Sequence, residues 1–187
     1  MITFVHAVMG AGKTTHLLIN AYNTPNCLII KPTVDNRDCE CKHQEWGTIK
    51  SRPILGKFKA LYLEPGKEWE YDFTDVSKIF VDETQFFKSS DIANFCKISD
   101  TFEIPMELYG LKTDSYGQLF EGAAAALALA DEIREIPFYC KCGRKATMHV
   151  KIGGSKNVVD IESKDVRYES VCRECYRYLT HGDDDAL

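Results

Sequence analysis

The chain has 187 residues, 23 of them Lys or Arg and 28 Asp or Glu, for a formal net charge of −5. Hydrophobic residues make up 44% and charged residues 27%, which excludes disordered, collagen-like and coiled-coil proteins and leaves one compact domain with at most an appendage. The longest purely apolar run, residues 123–130, falls far short of the ~20 residues of a membrane span, and Met1-Ile2-Thr3-Phe4-Val5 has no basic flank, so neither membrane anchoring nor secretion is expected.

Residues 2–8 read as a short buried strand, broken by Gly10-Ala11-Gly12 before a helix over 13–22 with Leu17, Leu18 and Ala21 on one face. A second buried strand over 26–31 completes a βαβ start, so the predicted fold class is α/β with a parallel sheet flanked by helices. Residues 32–75 show little periodicity beyond a candidate strand at 58–63, and leave room for a long mobile loop around 39–52. A third strand, 78–81, runs into Asp82-Glu83; a short helix over 91–98, a strand over 104–111 and an alanine-rich core helix over 119–133 follow. From residue 138 the composition turns to paired cysteines and basic residues, with nine Lys or Arg against five Asp or Glu over 138–180. The expected organisation is an α/β nucleotide-binding domain over 1–137, a small metal-binding domain over 138–180 and an acidic frayed tail over 181–187.

Gly10-Ala11-Gly12-Lys13-Thr14-Thr15 sits between strand and helix, where converging backbone N–H groups and a helix N-terminus bind phosphate. The first glycine of G-x-x-x-x-G-K-[ST] is Ala7 here, so the match is incomplete, but its placement supplies the mechanism: Lys13 on the β- and γ-phosphates, Thr14 on Mg²⁺. Such a loop needs an acid at the end of a neighbouring strand, and Asp82 supplies it. Glu83 points the other way, free to take a proton from a hydroxyl. Alone, an acidic pair after a strand is more often a solvated strand end; with the phosphate loop it indicates phosphoryl transfer.

Cys140, Cys142, Cys172 and Cys175 form C-x-C and C-x-x-C pairs about thirty residues apart, the donor set of a closed structural Zn²⁺ site. Cys39, Cys41 and His43 are too crowded and lack a fourth partner, so they read as loop residues. Cys27 and Cys96 read as core thiols, and His6 and His16 as packing or surface residues.

These motifs resemble those of the type II thymidine kinases, the cytosolic P-loop enzymes with a zinc-binding lasso. Along almost the whole chain, Ala7-Val8-Met9-Gly10-Ala11-Gly12-Lys13-Thr14 is similar to the family's phosphate loop and Asp35-Asn36-Arg37 to its D-x-R. Asp82-Glu83-Thr84-Gln85-Phe86 matches D-E-x-Q-F, followed by Tyr109-Gly110-Leu111-Lys112-Thr113-Asp114 and Gly117-Gln118-Leu119-Phe120. Cys140-Lys141-Cys142-Gly143-Arg144-Lys145-Ala146 matches C-x-C-G-R-K-A, and Tyr168-Glu169-Ser170-Val171-Cys172-Arg173 matches Y-x-S-V-C-R.

The resemblance implies transfer of the ATP γ-phosphoryl group to the 5′-hydroxyl of thymidine, with Glu83 as general base, Asp82 and Thr14 on Mg²⁺, Arg37 stabilising the transferring charge and Asp35 helping to position it. It implies phosphate binding by residues 9–15, Met9 to Thr15, apolar substrate walls from Met9, Phe86, Leu111 and Phe120, polar contact from Gln85, and closure over the base by Tyr168. It further implies a cytoplasmic homotetramer inhibited by thymidine triphosphate. Three departures bear on selectivity, deoxyuridine included: Asp114-Ser115-Tyr116-Gly117 where many members have D-F-R-G, Ile161-Glu162-Ser163 where I-G-G is common, and His149 at a frequent Thr. A different class of protein, a nucleic-acid-binding ATPase gripping its partner through the basic 138–180 segment, is the rival reading; the net acidity of the chain argues against it.

Overall fold

The computed structural model describes residues 1–35, 46–51, 53–153 and 166–181. Arg37, Cys39, Cys41, His43, the 161–163 departure and most of the acidic tail lie outside the described residues. The chain opens with β1 (Ile2–His6), α1 (Lys13–Tyr22) and β2 (Cys27–Pro32). A hairpin of β3 (Trp46–Ser51) and β4 (Ile54–Leu63) precedes β5 (Lys78–Val81), a 3-10 turn (Thr84–Phe86) and α2 (Ser89–Phe102). β6 (Met106–Gly110), α3 (Glu121–Leu129) and β7 (Glu132–Glu135) complete the main sheet. Its strand order is β3-β4-β2-β5-β6-β1-β7, all parallel except β3 against β4.

Strand alternation divides the core between the two faces of this sheet. Phe4, Leu28, Ile30, Ile79, Val81, Met106 and Leu108 pack with Ile92 and Phe95 of α2 and Ala123 and Ala126 of α3. Val5, Ile29, Phe80 and Tyr109 pack on the other face with Leu17, Leu18 and Ala21 of α1. Each such fully buried large side chain contributes roughly 1.5–3 kcal/mol, and together they hold the C-terminal ends of β1, β5 and β6 side by side.

Three expectations are corrected. The alanine helix does not run to residue 133: Ala130 turns extended (φ −72°, ψ 139°), the Asp131 carboxylate accepts the Ile2 N–H at 2.6 Å, and Ile133 pairs as a strand with Phe4. An edge pairing with β1 thus overrides helix propensity. The aperiodic 32–75 stretch contains β3, where only Ile49 is buried, and a helix-free crossing over 64–77. There Trp69, Tyr71 and Phe73 take the place of a helix, Trp69 against Phe95 (centroids 6.2 Å) and Phe73 against Phe102 (5.0 Å). Finally, the C-terminal segment holds α4 (Arg173–His181), which takes in the first residue expected in the tail.

A second, two-stranded antiparallel sheet pairs β8 (Met148–Ile152) with β9 (Arg167–Val171). It has its own small core of Cys140, Ala146, Val150, Val171 and Cys172.

α3 lies close against the turn after β5. A Cβ on Gly122 would stand 2.4 Å from the Thr84 carbonyl oxygen and 2.6 Å from that of Phe87, both backbone atoms that cannot yield. Glycine to alanine inside a helix ordinarily stabilises by about 1 kcal/mol. Here the sign inverts: Gly122→Ala is expected to destabilise by about 1–3 kcal/mol, read as a lower urea midpoint, because α3 must lift off the turn. A raised midpoint would contradict this packing.

Candidate active site

The loop between β1 and α1 has the two left-handed glycines its shape requires, Gly10 at φ 76° and Gly12 at φ 79°. Gly12 is the N-cap of α1 and brings no side chain to the first turn, so the helix N-terminus opens toward the sheet edge. Lys13 is buried, and its ammonium folds back to donate to the Val8 carbonyl at 3.3 Å. The Thr14 hydroxyl donates to Asp82, at 3.2 Å from Oδ2 and 3.4 Å from Oδ1, joining loop and strand end. Thr15 is hydrogen-bonded to Ser51 of the hairpin.

Asp82 is 1% exposed. Burial first, then the like charge of Glu83, push its carboxyl up to about 7, against the pull of Lys31 and Lys13. Thr14 and Asp82 are therefore an oxygen-donor pair that gains from a cation, which fits Mg²⁺.

Lys31, not singled out from sequence, lies beneath this pair. It is 2% exposed and forms an ion pair with fully buried Asp35 at 3.0 Å. Burial works against its charge, but Asp35, Asp82 and, less strongly, Tyr62 outweigh that and hold the ammonium protonated. A lysine closing the apolar run Cys27-Leu28-Ile29-Ile30 was the signal for it. Asp35 is thus held from below by Lys31, at the C-terminal end of β2.

Glu83 adopts a left-handed backbone (φ 51°, ψ 41°), unusual for a residue with a side chain, and the 3-10 turn starts immediately after it. Gln85, 3% exposed, donates from Nε2 to Glu83 Oε2 at 2.5 Å and accepts the Leu111 N–H on Oε1 at 2.9 Å. A Cβ on Gly110 would stand 2.9 Å from that Oε1. The D-E-x-Q-F and Y-G-L motifs therefore form one hydrogen-bonded unit.

Phe86 and Phe120 meet edge to face with centroids 6.0 Å apart, and Leu111, which directly follows β6, is buried. The segment after β6 turns on Asp114, whose Oδ1 accepts the N–H groups of Tyr116 and Gln118, both at 2.9 Å. Within it Tyr116 is exposed, whereas the buried Ser115 hydroxyl finds no hydrogen-bond partner among the described residues.

The second sheet is tied to this edge. Ser170 of β9 donates to the Met9 carbonyl at 2.6 Å and Tyr176 of α4 to the Ser115 carbonyl at 2.8 Å. Tyr168 lies two residues before Ser170, its ring edge-to-face with His149 at 6.3 Å. His149 is buried and held neutral, down to about 4, by burial and then by Lys13, against Asp114. It lines a small polar cavity with His6, Lys112, Thr113, Glu135 and Thr147. His16 instead is exposed, its Nδ1 3.0 Å from the Tyr109 hydroxyl.

Below this hairpin the Sγ atoms of Cys140, Cys142, Cys172 and Cys175 all lie within 4.8 Å of one another. A tetrahedron with Zn–S bonds of ~2.3 Å has edges of about 3.8 Å, and Cys142 and Cys172 stand 3.6 Å apart. The backbone N–H groups of Cys142 and Cys172 hold the Cys140 thiol down to about 6, favouring the thiolate a metal needs. Four soft donors with no fifth position fit a structural zinc ion. Cys27 and Cys96 stand apart from this cluster, half-buried against the two main cores.

Contrary to the expectation from the sequence, the strand that ends at Asp82 is not a neighbour of β1 but lies one place further on, with β6 between them. A strand, a glycine loop capping a helix, and a buried acid at the end of that parallel strand define the P-loop class of α/β proteins. The thymidine kinase family model matches residues 1–176. A thymidine kinase of Enterobacteria phage T4 is 34% identical over 187 residues, covering 96% of each chain. One from Mesorhizobium japonicum is 35% identical over 180 residues, 91% of this chain and 87% of the relative; one from Legionella pneumophila is 33% identical over 190, 93% and 88%. The chain belongs to the thymidine kinase family.

Proposed function

We propose that this protein is an ATP-dependent thymidine kinase that transfers the γ-phosphoryl group of ATP to the 5′-hydroxyl of thymidine, giving thymidine monophosphate and ADP. The observation that carries the reading is the pairing of Glu83 with the Thr14–Asp82 contact, a candidate base beside a phosphate loop. The N–H groups of residues 10–15 and the Lys13 ammonium bind the triphosphate and set its γ-phosphorus toward Glu83. Thr14 and Asp82 would hold Mg²⁺, which when bound neutralises charge on the β- and γ-phosphates. Glu83 accepts the 5′-hydroxyl proton as that oxygen attacks, and ADP leaves. Arg37 follows Asp35 by two positions and is assigned to the transferring charge; Lys31 holds Asp35 in an ion pair.

In this reading residues 138–180 act as a lasso over the 1–137 domain. Met9, Phe86, Leu111 and Phe120 wall the nucleoside, Gln85 stands behind Glu83, and Tyr168 closes over the base. Cys140, Cys142, Cys172 and Cys175 would hold zinc at the base of the hairpin that carries Tyr168 and Ser170, and its role would be to fix their position. The Ser115 hydroxyl, unpaired among the described residues, and the neutral His149 make this end more polar than an aromatic wall would, which favours breadth toward deoxyuridine. Among the described residues no helix is long and apolar enough to cross a membrane. A cytoplasmic homotetramer inhibited by thymidine triphosphate accords with the family.

The test is ADP release with Mg-ATP and thymidine, deoxyuridine, deoxycytidine or deoxyguanosine in turn. Thymidine and deoxyuridine are expected to drive release, the other two not. Release stimulated by DNA instead of any nucleoside would replace this reading with a nucleic-acid-dependent ATPase.

A further inference from the structure

Glu83 has a difficult geometry for a base. Its left-handed backbone is sparsely populated, and its long side chain has three torsions to fix before the carboxylate can meet a hydroxyl. A proton acceptor misplaced by a fraction of an ångström loses much of its rate advantage.

Gln85 supplies a fixed reference. The Leu111 N–H can only donate, so the amide oxygen must face it, and the amide nitrogen is then left pointing at the Glu83 carboxylate, 2.5 Å away. The opposite amide orientation would set N–H against N–H and oxygen against oxygen. At 3% exposure, against the Cβ-free face of Gly110, the amide has no space in which to swing away. Leu111 follows directly on β6, whose register against β1 and β5 is set by paired backbone. The Glu83 carboxylate is thereby indexed to the central sheet through one side chain. Contact with a nucleoside would have to compete with bonds that this amide already makes.

We propose that Gln85 is a positioning residue that orients the general base Glu83, rather than a group that binds the nucleoside. The inference rests on the kinase reading above and names what holds its base in place. Gln85→Met keeps the side-chain length and removes both polar ends. It is expected to lower kcat about tenfold or more while the KM values for thymidine and ATP stay within about twofold. In a Glu83→Gln background, Gln85→Met is expected to change the residual rate by less than about twofold, because the group it orients is already gone.

Gln85→Glu preserves the acceptor for the Leu111 N–H and sets a second carboxyl against Glu83 in place of the donor, so it carries the test should Gln85→Met fail to fold, and it is expected to lower kcat by at least as much and to displace the pH profile of kcat. A variant with unchanged kcat and thymidine KM raised tenfold would overturn the proposal, as would a further loss of similar size in the Glu83→Gln background. A wild-type protein inactive with every nucleoside would instead reject the kinase reading itself, so the two failures are told apart by the wild-type control.

Discussion

Glu83→Gln is expected to reduce thymidine turnover by roughly a hundred- to ten-thousand-fold while leaving ATP affinity within a few-fold of wild type. The substitution keeps the length and shape of the side chain, and its amide oxygen can still accept the Gln85 N–H, so the turn at 84–86 is undisturbed. The group that binds a proton is what disappears. In the proposed reading ATP is held by the loop and Lys13, which belong to a different element from the substituted group. The measurement is steady-state ADP release alongside a nucleotide-binding titration and a melting curve. Wild-type turnover in a folded variant would remove Glu83 from the chemistry.

Cys172→Ser is expected to abolish stoichiometric zinc and to unfold the 138–180 module, with a loss of more than ~4 kcal/mol or outright insolubility. The reason lies in how little else holds this segment. Its core is five small or medium side chains, two of them the cysteines themselves. Cys172 directly follows β9, and the Cys175 N–H approaches its sulfur at 3.5 Å, so losing the metal releases both the hairpin and the start of α4. Ser170, Tyr168 and Tyr176 then lose their places at the sheet edge, and thymidine turnover is expected to fall with the metal. Zinc content by atomic absorption, melting temperature and turnover should fall together. A fully metallated, stable variant would exclude Cys172 as a ligand.

The parts of this molecule legible in the sequence are those whose signal is local. The strand–glycine–helix run at 2–22, the strand that ends on Asp82 and the two cysteine pairs each announce themselves within a few residues, and the structure forms all three. What escaped depends on distant partners. β7 lies in sequence that favours helix and becomes a strand only because β1 has a free edge. β3 buries a single side chain, too few for an alternation to register. Lys31 looks like the end of an apolar strand until Asp35 and Asp82 are folded around it. Gly110 and Gly122 flank the Asp82–Phe87 turn from two other elements, and no spacing rule reveals that their missing side chains make room for it. The local motifs and the fold class were therefore readable, while the distant partners that fix the turn after β5 were not.

The central claim, phosphoryl transfer to the 5′ oxygen of thymidine, is tested most directly by following the label from γ-³²P ATP. With Mg²⁺ and thymidine present, the label is predicted to appear in thymidine 5′-monophosphate in step with ADP, and 5′-deoxythymidine, which lacks the accepting hydroxyl, is predicted to yield neither. Label released only as inorganic phosphate, or unchanged with 5′-deoxythymidine, would contradict the account.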